Sequence, residues 1–377
     1  HIALLHASYF YKSELLRIFS AGSWNLSDKQ SKILQIYRNK QRQPRPENQP
    51  GQNSGRLWIA ICNIYVSIAD MTARHLTLLT STDWHDYELL DSGNLKKLER
   101  FGSFRFIRPE PQAMWRPRLA VDAWTADGTF QPGKADSEDN ESGGWQLAKT
   151  LPESWQMHYQ SLRFLARPTP FRHLGFFPEQ AAHWNWCAEH IEKFTQQHQR
   201  PPRILNLFAY SGLASLHAAA AGAEVTHVDA SKKAIAQAFE NRDACGLEAA
   251  PIRFITDDAS GFVAREIRRQ REYDGIILDP PKYGRGPKGE TWRIEEDLSP
   301  LLQQAARLLS ADAMFLVLTI YAIRASSLAA HYALADHLAG RPGQIESGEL
   351  AILESALSDP QPRRYVAQAN FARWLAG

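Results

Sequence analysis

From Arg203 to Ile320 the chain alternates short apolar runs with helix-length amphipathic runs, and this rhythm restricts the fold more than any other feature. RILNLF (203–208), EVTHVD (224–229), IRFIT (252–256), YDGIILD (273–279) and AMFLVLTI (313–320) read as buried strands. Between them LASLHAAAA, KKAIAQAFENRDAC, SGFVAREIRRQ and LSPLLQQAARLL read as helices. Strands separated by whole helices cannot pair through tight turns. They must run parallel, with the helices covering both faces of the sheet, so the expected class is α/β. A further helix precedes the series in EQAAHWNWCAEHIEKF, where Ala182, Trp186, Ile191 and Phe194 recur at helical spacing. The tail breaks the rhythm: ELAILES and RRYVAQANF are two strand-like runs separated by the turn-rich SDPQP, which predicts a terminal antiparallel hairpin.

The first half of the chain has another texture. From Trp84 to about Pro170, short β-like runs (FRFIRP, RLAVDAW) alternate with Pro, Gly and Asp clusters, and a hydrophilic loop follows at Lys134–Gly144. This predicts a small β-rich accessory domain over 71–170, ahead of an α/β domain over 171–377. Residues 1–70 read as a poorly ordered or non-native leader, with a weak helical stretch over 1–35 and a Pro-rich linker at Gln41–Arg56. The chain opens on His1 and its first methionine is Met71, which leaves two readings: a fragment of a longer chain, or a start placed upstream of a true initiator. The leader holds nine basic and four acidic residues, so the formal net charge of +2 conceals a slightly acidic remainder, 34 basic against 37 acidic. Bulk charge therefore argues neither for nor against a nucleic-acid partner. Leu57–Met71 is apolar but too short to span a bilayer. Cys62, Cys187 and Cys245 share no short spacing, so neither a metal site nor a disulfide framework is expected, and a reducing cytoplasm is the natural compartment.

In an open parallel sheet the ligand lies beyond the carboxyl ends of the strands. The first strand runs out through Asn206, Leu207, Phe208, Ala209, Tyr210 and Ser211 to Gly212, a short turn into a helix whose free N–H groups suit a ligand. A lone glycine does not make the G-x-G-x-x-G cradle of a pyrophosphate. The second strand ends in Asp229, followed by Ala230 and Ser231. Asp229 is placed either to accept from two ribose hydroxyls or to cap the following helix. The third strand ends in Asp257 and Asp258, suited to an exocyclic amino group or again to a helix cap. The fourth ends in Asp279-Pro280-Pro281-Lys282-Tyr283-Gly284, where a carboxylate, a carbonyl stiffened by two prolines and an aromatic ring leave the sheet together. The pattern points to a ribose-bearing ligand without a pyrophosphate.

LNLFAYSG, VDAS, DDA and DPPKYG, in this order and spacing, resemble class I S-adenosylmethionine-dependent methyltransferases. More narrowly they are similar to the bacterial large-subunit (23S) ribosomal RNA methyltransferases that act on cytosine or guanine, together with their uncharacterised relatives. His173-Leu174-Gly175-Phe176-Phe177-Pro178-Glu179-Gln180 matches the GxFxxQ-type turn of that branch. The resemblance runs from about Tyr87 to the C-terminus. It implies a Rossmann-like sheet, S-adenosylmethionine as cofactor, and no metal. It implies that Phe208–Gly212 lies under the methionine end, that Asp229 holds the ribose, and that Asp258 with Ala259 meets the adenine. Phe177, Glu179 and Gln180 would help close the pocket, and Asp279, Pro280 and Tyr283 would face the acceptor.

In amino methyltransferases with an acidic-Pro-Pro-aromatic loop, the carboxylate and a proline carbonyl hold the N–H groups while the ring stacks on the base. Here Lys282 intervenes before the aromatic. Carbon-5 pyrimidine chemistry requires a cysteine nucleophile, and the loop after the fifth strand, where related cytosine enzymes carry it, reads Leu318-Thr319-Ile320-Tyr321-Ala322. Methylation at a nitrogen, guanine first, is the expectation. Lys282, Arg285, Lys288 and Arg293 flank the acceptor loop and suit phosphates, or form only a solvated loop. In the accessory domain Arg100, Arg105, Arg108, Arg116 and Arg118 interleave with Phe101, Phe104, Phe106 and Trp115. That mixture fits either a single-strand-binding surface or a small aromatic core, the core being favoured. Two other functions stay open: a methyltransferase acting on a protein or small molecule, and a non-catalytic RNA-binding relative.

Overall fold

The structure is a computed structural model that describes residues 75–133, 143–321, 325–355 and 362–377. The leader, the Gln41–Arg56 linker, the Leu57–Met71 run and nearly all of the Lys134–Gly144 loop lie outside the described residues. Residues His75–Gly377 form one unit.

In chain order the N-terminal part holds β1 (Thr77–Leu79), β2 (Tyr87–Gly93), β3 (Lys96–Phe101), β4 (Phe104–Pro109), β5 (Gly128–Pro132), β6 (Gly143–Leu147), β7 (Trp155–Tyr159) and β8 (Leu162–Ala166). The α/β part follows as α1 (Ala181–His198), β9 (Arg203–Leu207), α2 (Leu213–Ala220), β10 (Glu224–Asp229), α3 (Lys232–Ala244), β11 (Ile252–Thr256), α4 (Ala259–Arg268) and β12 (Gly275–Leu278). After β12 come β13 (Tyr283–Arg285), β14 (Thr291–Arg293), α5 (Ile294–Arg307), β15 (Phe315–Ile320), α6 (Ser327–Leu338), β16 (Gly343–Leu353) and β17 (Tyr365–Ala376).

The strands of the main sheet lie in the order β1-β16-β17-β15-β12-β9-β10-β11. From β15 through β11 all pairs are parallel. The strand order reverses between β9 and β12, which places the topological switch point, and hence the ligand crevice, beside the exits of those two strands. The terminal hairpin is present and inserts β17 antiparallel between β15 and β16. Strand β1 pairs in parallel with β16, so the main sheet recruits its edge from the segment that precedes the small sheet. At Gly275 the sheet centre is tightly packed: a Cβ there would lie 2.6 Å from the Phe315 ring and 2.8 Å from Ile204. Among the described residues no helix is long and apolar enough to cross a membrane.

The apolar face of α1 is rotated from the expected one. Trp184, Cys187, Ile191 and Phe194 are buried, whereas Ala182 and Trp186 are only half-buried. Both sets share 3.6-residue periodicity, and the choice between them rests on which face meets the sheet.

The small sheet has the order β2-β3-β4-β5-β6. FRFIRP is a strand as expected, but RLAVDAW is not: it carries a 3₁₀ turn at Val121–Ala123. The cause is the buried Asp91 carboxylate, which accepts from the Arg118 and Leu119 amides and the Trp124 indole and thus replaces a strand ladder. Phe101 and Phe106 are fully buried. Arg108 lies beneath the surface in a bidentate pair with Glu99, and Arg118 pairs with Glu354. These side chains form a core and an interior ion network, and only Arg105 and Arg116 of the five arginines are exposed. That core also takes in Phe176, Trp184, Leu213 and Leu216, so the small sheet packs directly against the helices beside the crevice.

Candidate active site

The exits of β9 and β12 and the turn before α1 meet at one pocket, while the β10 and β11 exits, with Asp229 and Asp258, lie outside its lining. Its lining includes Phe176, Phe177, Gln180, Asn206, Phe208, Ala209, Tyr210, Ser211 and Asp279. The turn after β9 is bent sharply. Phe208 and Tyr210 have φ of 56° and 46°, a region that ordinary side chains adopt only at a cost, and Gly212 has φ of 90°. A Cβ on Gly212 would sit 3.0 Å from that of Ala238, so the position needs glycine for space as well as for conformation. The bend is paid for by its surroundings. Phe208 packs on Trp292 with ring centres 4.8 Å apart, Ala209 N–H donates to Val228 O (3.1 Å), and Asn241 Nδ2 donates to Ser211 O (2.8 Å). Asn206 is buried and donates to Ser215 Oγ at 2.9 Å, which fixes the floor.

Asp229 accepts from Tyr210 N–H through Oδ2 and from Ser231 N–H through Oδ1, each at 2.8 Å. Each oxygen keeps a second lone pair, so the carboxylate both ties the bent turn to β10 and retains capacity for two hydroxyl donors. Burial pushes its pKa up, and the two amides oppose that shift. The capping role falls to Ser231, whose hydroxyl accepts from Ala234 N–H at 3.2 Å. Ala230 lies between them. Asp258 does cap α4, accepting from Gly261 N–H through Oδ2 at 2.8 Å, and its Oδ1 remains for an amino donor. Ala259 buries its methyl in the core and has only its helix-end amide to offer. The set fits a ribose and an amino-bearing ring, and nothing at the turn has the form of a pyrophosphate cradle.

At the exit of β12, Asp279 accepts from Gln180 Nε2 through Oδ2 at 2.9 Å. Its Oδ1 is closed off from solvent and accepts from no donor among the described residues. Glu179, 4% exposed, accepts from the Tyr321 hydroxyl at 3.0 Å. Burial, with the Glu179 charge adding to it, raises the Asp279 pKa to about 8, and the Gln180 hydrogen bond opposes the shift. Glu179 is itself raised by burial, and so is Tyr321. Two carboxyl groups with raised pKa thus lie near the β12 exit, an arrangement common at functional sites.

The rest of the acceptor loop is less gathered. Pro280 is buried, while Tyr283 is 46% exposed and opens the β13–β14 hairpin, outside the pocket lining. The Pro281 carbonyl is taken by Trp292 Nε1 at 2.7 Å, which clamps the loop. Lys282 precedes that hairpin at its base, and Arg285 ends its first strand beside the turn, exposed. Trp292 and Tyr321 are the participants that sequence reading passed over. Tyr321 directly follows a buried strand, a placement that was available as a signal. Trp292 had none, because its role depends on the hairpin folding back. Cys187 is buried on α1 with its thiol pushed up to about 12, and Cys245 ends α3 donating to Arg163 O, so neither lines the pocket. Among the described residues no group of three or more His, Cys, Asp or Glu is arranged to hold a metal ion.

A family model described as Conserved hypothetical protein 95 matches residues 180–317. The chain is 37% identical over 116 residues to the Ribosomal RNA large subunit methyltransferase K/L of Shewanella baltica, covering 30% of this chain and 16% of that protein. It is 32% identical over 156 residues to the protein of the same name from Magnetococcus marinus, covering 41% and 20%. The matched part is thus about a fifth or less of these relatives. Among solved structures, the SAM-dependent methyltransferase from Agrobacterium tumefaciens superposes with a TM-score of 0.75 at 44% identity, covering 81% of this chain and 95% of that one.

Proposed function

The chain belongs to the S-adenosylmethionine-dependent methyltransferases, and on that premise we propose that it methylates a nitrogen of a nucleobase, guanine first, in large-subunit ribosomal RNA of the cytoplasm. The observation that carries this reading is Asp279, with one oxygen oriented by Gln180 and the other enclosed and unpartnered beside the strained turn. When bound, S-adenosylmethionine supplies an electrophilic methyl group on a sulfonium. The chain's own residues then have three tasks: to hold that group, to align an acceptor in line with it, and to receive a proton.

Asp229, Asp258 and the Phe208–Gly212 turn are the holding residues. Asp279 is the proton acceptor. An amino nitrogen that forms a bond to the methyl carbon must lose a proton, and the free Asp279 Oδ1 receives it while the carbon–sulfur bond breaks. With a pKa of about 8 this carboxyl is mostly protonated at pH 7, so transfer rises with pH up to that value. Among the described residues no cysteine lines the pocket, which supports a nitrogen acceptor over pyrimidine carbon 5. Lys282, Arg285, Lys288 and Arg293 on the adjoining hairpin supply charge suited to phosphates. The test is methyl mapping of ribosomal RNA from cells with and without the gene, with tritium labelling of the unmethylated RNA by the purified full chain. Label at one guanine nitrogen is expected. Label confined to protein or small molecules would overturn the RNA acceptor.

A further inference from the structure

Four aromatic rings form a staircase from solvent to the buried carboxyl pair. Phe171, 45% exposed, stacks on His173 with ring centres 5.6 Å apart and planes at 18°. His173 lies 5.2 Å from Phe177, and Phe177 lies 5.1 Å from Tyr321, whose hydroxyl reaches Glu179. Phe177 lines the pocket together with Asp279, so the two inner rings belong to the site already described. His173 also meets the Tyr210 ring of the bent turn edge-on at 5.6 Å, and only Phe171, at the outer end, has no task in the site.

The outer pair is held rigidly. Thr169 Oγ1 accepts from Phe171 N–H at 3.2 Å and donates to His173 O at 2.8 Å, closing a short turn around the phenylalanine. The turn is pinned from the small sheet by Trp145 Nε1 donating to Thr169 O (2.7 Å) and by Gly143 N–H donating to Pro170 O (3.1 Å). Pro168 and Pro170 restrict the backbone further. Burial, reinforced by the Arg108 and Arg172 charges, lowers the His173 pKa to about 3, so its ring is a neutral stacking surface at any working pH. The outer face of this apolar ring is left to solvent, while its ordering cost for a planar ligand is already met.

We infer that Phe171, backed by His173, forms a stacking platform for an unpaired nucleobase of the acceptor RNA, the nucleotide adjoining the one that enters the pocket. This rests on the RNA reading above. Base–aromatic stacking is tolerant of sequence, because every base has a π-face, and it suits recognition of a splayed single strand. The platform grips the neighbour and so sets the approach of the target base to Asp279.

The test uses the full chain with Phe171→Ala and Phe171→Trp. Phe171 is exposed, so both variants should keep the wild-type melting profile. For Phe171→Ala, KM for unmethylated ribosomal RNA should rise about tenfold with kcat changed less than twofold, and calorimetric affinity for S-adenosylhomocysteine should not change. Phe171→Trp should restore KM. A single-stranded RNA oligonucleotide carrying 2-aminopurine should be quenched by the wild type and not by Phe171→Ala. Unchanged KM in the alanine variant, with RNA methylation by the wild type intact, overturns the platform alone. A matching loss of S-adenosylhomocysteine affinity also overturns it, by assigning the rings to the cofactor. If the wild type methylates no RNA, the function reading falls and the platform with it.

Discussion

Strand β12 is flanked by two aspartates five positions apart with opposite electrostatic fates. Asp274, at its entry, is fully buried and saturated: Arg200 donates to both oxygens (2.7 and 3.0 Å), Arg203 N–H to Oδ2 (2.8 Å) and Ser310 Oγ to Oδ1 (2.7 Å). Although burial pushes the other way, these donors hold its pKa below the ordinary value. Asp279, at the exit, has one donor, an enclosed oxygen without a partner and a second carboxyl nearby, and its pKa rises to about 8. The same residue type is a staple at one end of the strand and, on the function proposed above, the reacting group at the other. What separates them is the count of donors the neighbouring elements supply. The entry side is built for stability, and the exit side keeps capacity in reserve for a ligand.

The contrast can be broken in four ways. The largest effect should come from Asp279→Asn: methyl transfer falls about 10³-fold, while the unpartnered acid is gone and the fold gains about 1–2 kcal/mol at neutral pH, measured by labelling and by urea unfolding. The sign follows from linkage. A carboxyl whose native pKa lies above its ordinary 3.8 gives stability that is complete below 3.8 and lost as pH rises to about 8, so the variant should flatten that loss. Next is Asp274→Ala, which strands Arg200 and the Arg203 amide and should cost about 3 kcal/mol with activity per folded molecule unchanged. The sign is reversed here: the native pKa is depressed, so wild-type stability from this group is lost as pH falls through its lowered value. Third, Gly212→Ala should cost about 1–2 kcal/mol, from the positive φ and the 3.0 Å approach to Ala238, and should weaken S-adenosylhomocysteine binding in calorimetry. The smallest is Glu179→Gln, which removes the charge that helps raise Asp279 and should move the midpoint of the pH–rate curve to lower pH. An unmoved midpoint would show that burial alone sets it.

The parallel sheet was legible because its signal is local. The runs that form β10 and β11 end where hydropathy ends them, at Asp229 and Thr256, and the tail hairpin was marked by a turn-rich break. The strand-end residues were legible for the same reason, since a parallel sheet places them at one edge. Other features were hidden because they depend on distant partners. RLAVDAW has β-like composition, yet Asp91 captures its backbone. The interleaved arginines and phenylalanines of the small sheet left both a surface and a core open, the core favoured, and Glu99 and the ring packing take Arg108, Phe101 and Phe106 inside. Tyr321 could be located in the sequence, but its hydrogen bond to Glu179 spans 142 positions.

Taken alone, the sequence determined the order of the five parallel strands and the helices between them, the terminal hairpin and the set of carboxylates at the sheet's ligand edge, because periodicity and turn chemistry act over a few residues. Only the tertiary structure decided which of those carboxylates is a cap, which a tether and which keeps an enclosed oxygen without a donor. Asp258, Asp229 and Asp279 all end strands or cap helices, and their chemistry differs only through the donors and burial that other elements bring to them.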